Sequence, residues 1–175
     1  MVMPPSLRKF TLTAHVITSV GWLGAVAAFL ALALMGLASR DAGMVHAVYP
    51  AMDAIAWYII VPLSFASPLT GLVLSLGTSW GLFRQYWLLL KFLMTIPSTL
   101  LLLVHMRPID YMASAAANGV FPTADLHGMR IQLVIEASAA LSVLLLATVL
   151  SVYKPKGMTR YGWRKQYAER ALPLR

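Results

Sequence analysis

Four stretches of the chain, Thr11 to Ala38, Ala54 to Gly77, Tyr86 to Met106 and Ile131 to Tyr153, carry no charge or almost none. Each is long enough to cross the ~30 Å hydrocarbon core of a bilayer, which takes about 20 helical residues. Backbone N–H and C=O groups cannot go unpaired in lipid, so each stretch has to be a helix. The short alternating segments that would build a β-barrel are absent. The sequence therefore predicts an all-α, integral membrane four-helix bundle. Composition excludes a soluble domain: 59% of the 175 residues are hydrophobic and 11% charged, against about 45–50% and about 25% in ordinary soluble domains. The absence of cysteine removes disulfides, thiolate metal sites, iron–sulfur clusters and cysteine nucleophiles.

The net charge of +8 comes from 14 basic and 6 acidic residues, an excess that in a soluble chain would point to nucleic acid. Its placement points elsewhere. Lys154, Lys156, Arg160, Arg164, Lys165, Arg170 and Arg175 all follow Tyr153, with only Glu169 to offset them. The chain thus divides into a transmembrane domain, residues 1–153, and a basic tail, residues 154–175, suited to anionic cytoplasmic headgroups. Arg8, Lys9, Arg84 and the tail gather on one side of the membrane and Arg40, Arg107 and Arg130 on the other. By the positive-inside rule both termini of this multi-pass cell-membrane protein are cytoplasmic.

On that reading Ser39 to Asp53 and Arg107 to Arg130 are outer loops, holding Asp41, Asp53, Asp110 and Asp125, and Thr78 to Gln85 is an inner turn. The apolar run behind Arg8 and Lys9 far exceeds a signal-peptide core of about 7–15 residues, so the first span is expected to be retained. Pro62, Pro68 and Pro97 are expected to kink their helices. No repeat or low-complexity segment is visible.

Polar residues inside the spans mark the faces that look inward. Thr11, His15, Thr18, Ser19 and Trp22 share a face of the first span, and Asp53, Trp57, Ser64, Ser67, Gly71 and Thr78 a face of the second. Trp87, Lys91, Met94, Thr95, Ser98 and His105 align in the third, and Gln132 and Glu136 lie one turn apart in the fourth. For Ser, Thr and Gly the plain explanation is close helix packing with hydrogen bonds across the interface. Ionisable groups cost about 2.5–3.5 kcal/mol or more at the bilayer centre and count as functional candidates. His15, Lys91 and Glu136 qualify, and Glu136 has to be protonated or paired, with Arg130 or His105 as partner.

Counted from the cytoplasmic ends at about 1.5 Å per residue, His15 and Lys91 lie at similar depth in the inner leaflet and could face one ligand. An imidazole there suits haem iron and a lysine suits a propionate, with Trp22 and Trp87 as pocket wall and Met94, water or nothing as the sixth ligand. The lysine could instead snorkel to the surface, and the histidine could simply hydrogen-bond a carbonyl. On the outer side His46, His105 and His127, with Glu136 and the nearby acids, form a candidate zinc or copper set, since imidazole and carboxylate bind such metals without thiolate.

The run HVITSVGWLGA, His15 to Ala25, and the run WLLLK, Trp87 to Lys91, resemble the four-helix membrane protoporphyrinogen oxidases, which bind haem, and their relatives among copper-resistance D-type membrane proteins. The segment SPLTGLVLSLG, Ser67 to Gly77, is similar to the second helix of an uncharacterised bacterial four-helix family of the same group. The likeness covers the first three helices in short motifs. It implies that His15 is the haem-associated histidine and Lys91 the third-helix lysine. The oxidases carry an arginine late in the first helix, whereas AAFLALALMGL has no charge before Arg40. The resemblance therefore implies a haem-binding relative rather than a protoporphyrinogen oxidase.

Three functions follow as expectations. The first is a haem b protein in electron transfer or tetrapyrrole oxidation with a membrane redox partner. The second is copper or zinc handling through the outer histidines, and the third a non-catalytic membrane subunit, with small residues on the helix flanks permitting homo-oligomers. No Gly-rich phosphate loop, nucleophile elbow or HExxH is present, which leaves hydrolase and nucleotide-driven chemistry without support.

Overall fold

The computed structural model describes residues 3–77, 83–118, 124–155 and 157–171. The expectations attached to Thr78, Lys156 and Arg175, and to the side chains of Asp125, Lys165, Glu169 and Arg170, lie outside these residues. The elements are α1 (Pro5–Ala38), α2 (Ala42–Ile55), a π-helical turn (Ala56–Ile60), α3 (Val61–Gly77), α4 (Tyr86–Ala117), α5 (Ala124–Tyr153) and α6 (Arg160–Ala171). Four segments are long and apolar enough to cross a membrane: Pro5–Ala38, Ala42–Gly77, Tyr86–Ala117 and Leu126–Tyr153. Large apolar side chains cover their outer faces, as lipid-facing helices require: Tyr58 is 82% exposed and Val104 68%.

The supposed first outer loop is mostly helix. Asp41 caps α2 by accepting from the Gly43 N–H at 3.0 Å, and Val45, Val48, Tyr49 and Met52 bury at three- and four-residue spacing. That apolar stripe outweighs Pro50 and Asp53, and the second span lengthens to Ala42–Gly77. The expected Arg107–Arg130 loop shrinks in the same way, because α4 continues to Ala117 and α5 begins at Ala124. At Pro62 the chain takes the π-helical turn, in which the Val61 N–H reaches back to the Ala56 carbonyl. The wider turn gives the Pro62 ring room against the preceding turn.

α1 packs on α3 and α5, α2 on α4, and α4 on α5, while α3 leans on α1 more than on α4. The chain ends at one end of the bundle: the Met3 N–H donates to the Gly77 carbonyl at 3.1 Å and the Thr159 N–H to the Arg84 carbonyl, also at 3.1 Å. Gly162 of α6 sits against that turn so closely that a Cβ there would lie 2.6 Å from the Arg84 carbonyl oxygen. At the opposite end Trp22, Phe29, Val48, Tyr49, Met52 and Leu133 belong to the apolar core. Arg130 is 8% exposed and lies 5.7 Å over the Tyr49 ring, a cation–π contact. The Trp57 indole donates to Asp110 at 2.9 Å, and Asp53 faces the same carboxyl group.

Candidate functional site

Because α3 leans toward α1, a cavity of about 470 Å³ remains near the chain termini among α1, α3, α4 and α5. Its walls are mostly apolar, and its ionisable residues are Arg8, His15, Lys91 and Lys154. The buried hydroxyls of Ser67, Ser75 and Thr95 also line it.

His15 is held from two sides. Its Nδ1 lies 3.0 Å from the Ser67 carbonyl and 3.1 Å from Thr70 Oγ1. A carbonyl only accepts, so Nδ1 carries the proton and Nε2 keeps its lone pair. Nε2 is 3.4 Å from Lys91 Nζ, and that ammonium also donates to Ser151 Oγ at 2.8 Å. A Ser19–Ser67 hydroxyl bond of 2.8 Å ties α1 to α3 one turn further on. Gly71 makes the histidine's position possible: a Cβ there would stand 3.0 Å from His15 Cε1.

Trp87 lines this cavity, whereas Trp22 and Met94 do not. Trp22 is a core residue at 4% exposure, because the register of α1 carries it toward the opposite half of the bundle. Lys91 does not snorkel free of the bundle; its ammonium stays on Ser151 and His15.

The three histidines expected on the outer side do not assemble. The His46 ring bonds the Ala116 carbonyl at the end of α4, and His127 is exposed in the first turns of α5. His105 lies eleven residues before Ala116 on the same helix, or ~16 Å at 1.5 Å per residue. Flexible loops could have drawn these rings together; the continuous helices keep them apart. Among the described residues no group of three His, Asp or Glu is placed to hold a metal ion. His105 instead pairs with Glu136, Nε2 to Oε1, at 3.0 Å, and the Gln132 amide donates to the same oxygen at 2.6 Å. This pair, one of the two partnerships that depth allowed for Glu136, borders a second cavity of about 230 Å³.

Residues 9–155 match the family model described as "Predicted integral membrane protein (DUF2269)". The chain belongs to that family. No curated protein and no solved structure matches it. Membership in DUF2269 accords with the four spans. The likeness to haem-binding oxidases and copper-resistance proteins rests on the short motifs around His15 and Lys91 alone, and the segment from Ser67 carries the likeness to an uncharacterised four-helix family. Those motif residues, scattered over three helices of this DUF2269 chain, meet at the first cavity.

Proposed function

We propose that this membrane protein binds a b-type haem in the first cavity, with His15 Nε2 as its protein ligand, and serves electron transfer or tetrapyrrole oxidation. The observation that carries this reading is the orientation of His15. Its Nδ1–H is committed to a backbone carbonyl at 3.0 Å, and its Nε2 lone pair meets the Lys91 ammonium at 3.4 Å, both residues lining the cavity. Metal-ligating histidines are held in this way, the second nitrogen fixing tautomer and ring plane. The remaining lining fits a flat, apolar dianion: Arg8, Lys91 and Lys154 would take the propionates and Trp87, Leu12 and Phe92 the macrocycle. Lys91 would exchange His15 for a propionate while Ser151 holds its other side. Bound haem supplies one-electron chemistry; this chain's residues bind it, orient it and exclude water.

The test is the visible spectrum of the purified protein, expressed with added haem, beside that of His15→Ala. A Soret band in the wild type that is lost or altered in His15→Ala is expected. A wild type without the band, or a variant with the full band and unchanged ligation, overturns the reading.

The same proposal places the haem in the inner leaflet, with both termini cytoplasmic, since the basic residues crowd that end. Tyr161, Trp163 and Tyr167 of α6 are exposed and, beside Arg160 and Arg164, would rest on anionic headgroups. With Ala42→Cys, a membrane-impermeant maleimide should label intact cells, because Ala42 begins α2 at the far end and is exposed. Labelling by permeant reagents alone would mean the inverse orientation.

A further inference from the structure

The second cavity lies between α4 and α5 and reaches α1 and the π-helical turn. His105 and Glu136 each sit about a dozen residues, or ~18 Å, from the end of their helices remote from the chain termini. The wall is aliphatic apart from Phe29, Ser98, His105 and Glu136. Ser98 spends its hydroxyl proton on the Met94 carbonyl at 2.7 Å and keeps acceptor capacity alone, while His105 and Glu136 are the ionisable groups lining this wall. Two rim residues, Leu101 at 58% and Ile135 at 62% exposure, face lipid. A ligand therefore enters sideways from the bilayer.

The hydrogen bonds of the pair fix its proton content. His105 Nδ1 lies 2.7 Å from the Leu101 carbonyl and has to be the donor there. Its Nε2 nevertheless lies 3.0 Å from Glu136 Oε1. Two lone pairs do not meet at that distance, so one proton sits between them, on the imidazole as an ion pair or on the carboxyl as a neutral acid. Gln132 fixes Oε1 from its other side. That proton is already bonded within the pair, so a ligand oxygen meets it by displacing Glu136 Oε1 from Nε2, whereas a ligand hydroxyl can donate to the second oxygen of Glu136.

Size narrows the ligand. An engineered cavity of about 150 Å³ lined by aliphatic and aromatic side chains holds benzene, so about 230 Å³ holds one substituted ring and not a tetrapyrrole. A quinone or quinol head ring is a bilayer-soluble single ring of this size whose oxygens make such a hydrogen bond. We propose that the second cavity is a lateral binding site for a quinone or quinol head ring, one of whose oxygens is hydrogen-bonded by the His105–Glu136 pair. The assignment is independent of haem in the first cavity.

The experiment uses the full chain in phosphatidylcholine nanodiscs, an azido-substituted short-tail ubiquinone as photolabel, and decylubiquinone as competitor, with labelled peptides identified by mass spectrometry. Labelling of α4 and α5 peptides that decylubiquinone displaces is expected. Glu136→Gln should reduce it at least tenfold, and Ala140→Phe, which fills the cavity, should remove it, while Gly24→Ala, where an added Cβ meets nothing within 4 Å, keeps it. Circular dichroism and gel filtration identify any variant that has not folded, and Glu136→Gln alters no volume. Labelling that survives both Glu136→Gln and Ala140→Phe overturns the proposal. Displacement by decylbenzene as effective as by decylubiquinone also overturns it, since the cavity would then be an acyl-chain groove.

Discussion

Gly71→Leu should weaken the proposed haem binding by roughly ten- to a hundredfold, the equivalent of about 1–3 kcal/mol of overpacking, without unfolding the bundle. Even a Cβ at this position would stand 3.0 Å from His15 Cε1 and 3.5 Å from Nδ1. The longer side chain has to displace the imidazole from the Ser67 carbonyl or project into the cavity, and either result removes the proposed ligand. Helix propensity acts in the opposite direction: leucine in mid-helix is favoured over glycine by close to 1 kcal/mol. The two effects have separate readouts. A haem titration followed in the Soret region should show the loss, while thermal unfolding in the same detergent should change little. Equal affinities for wild type and Gly71→Leu would show that His15 does not hold the haem.

The separation between what was readable and what was not follows from the solvent. Lipid demands a helix wherever charge is absent, so the four spans could be read from hydropathy alone. His15 and Lys91 could be paired because helix rise converts sequence number into depth. The segment Ala42 to Asp53 misled because His46, Pro50 and Asp53 resemble loop residues, although the Asp41 cap and the stripe of Val45, Val48, Tyr49 and Met52 were present. That error spread to the outer histidines, since only a flexible loop would let His46 approach His105. Depth also left lateral position open. It could not tell that α3 leans on α1 and leaves a cavity beside α4, nor that His15 finds the Ser67 carbonyl. Those depend on helix crossings set by small residues, such as the Ser19–Ser67 contact at 2.8 Å.

Glycine distinguishes the packed end of the bundle from its lipid face, and Gly36→Leu should be the most destabilising single change in α1. A Cβ at Gly36 would meet Tyr49 Oη at 2.8 Å, Tyr49 Cζ at 3.0 Å and Val48 Cγ1 at 3.4 Å. Tyr49 has nowhere to retreat: it is 2% exposed, and the Arg130 guanidinium lies over its ring at 5.7 Å. Alanine should already cost about 1–3 kcal/mol, and leucine should exceed it by forcing α1 and α2 apart. Gly24 supplies the control on the same helix. A Cβ there has nothing within 4 Å, so Gly24→Ala should be neutral or stabilise by up to about 1 kcal/mol through helix propensity. Melting temperatures of the three variants in one detergent should fall in the order Gly24→Ala, Gly36→Ala, Gly36→Leu. If Gly36→Leu melts with the wild type, Tyr49 is not clamped between α1 and Arg130, and the core assigned to this end of the bundle is misplaced.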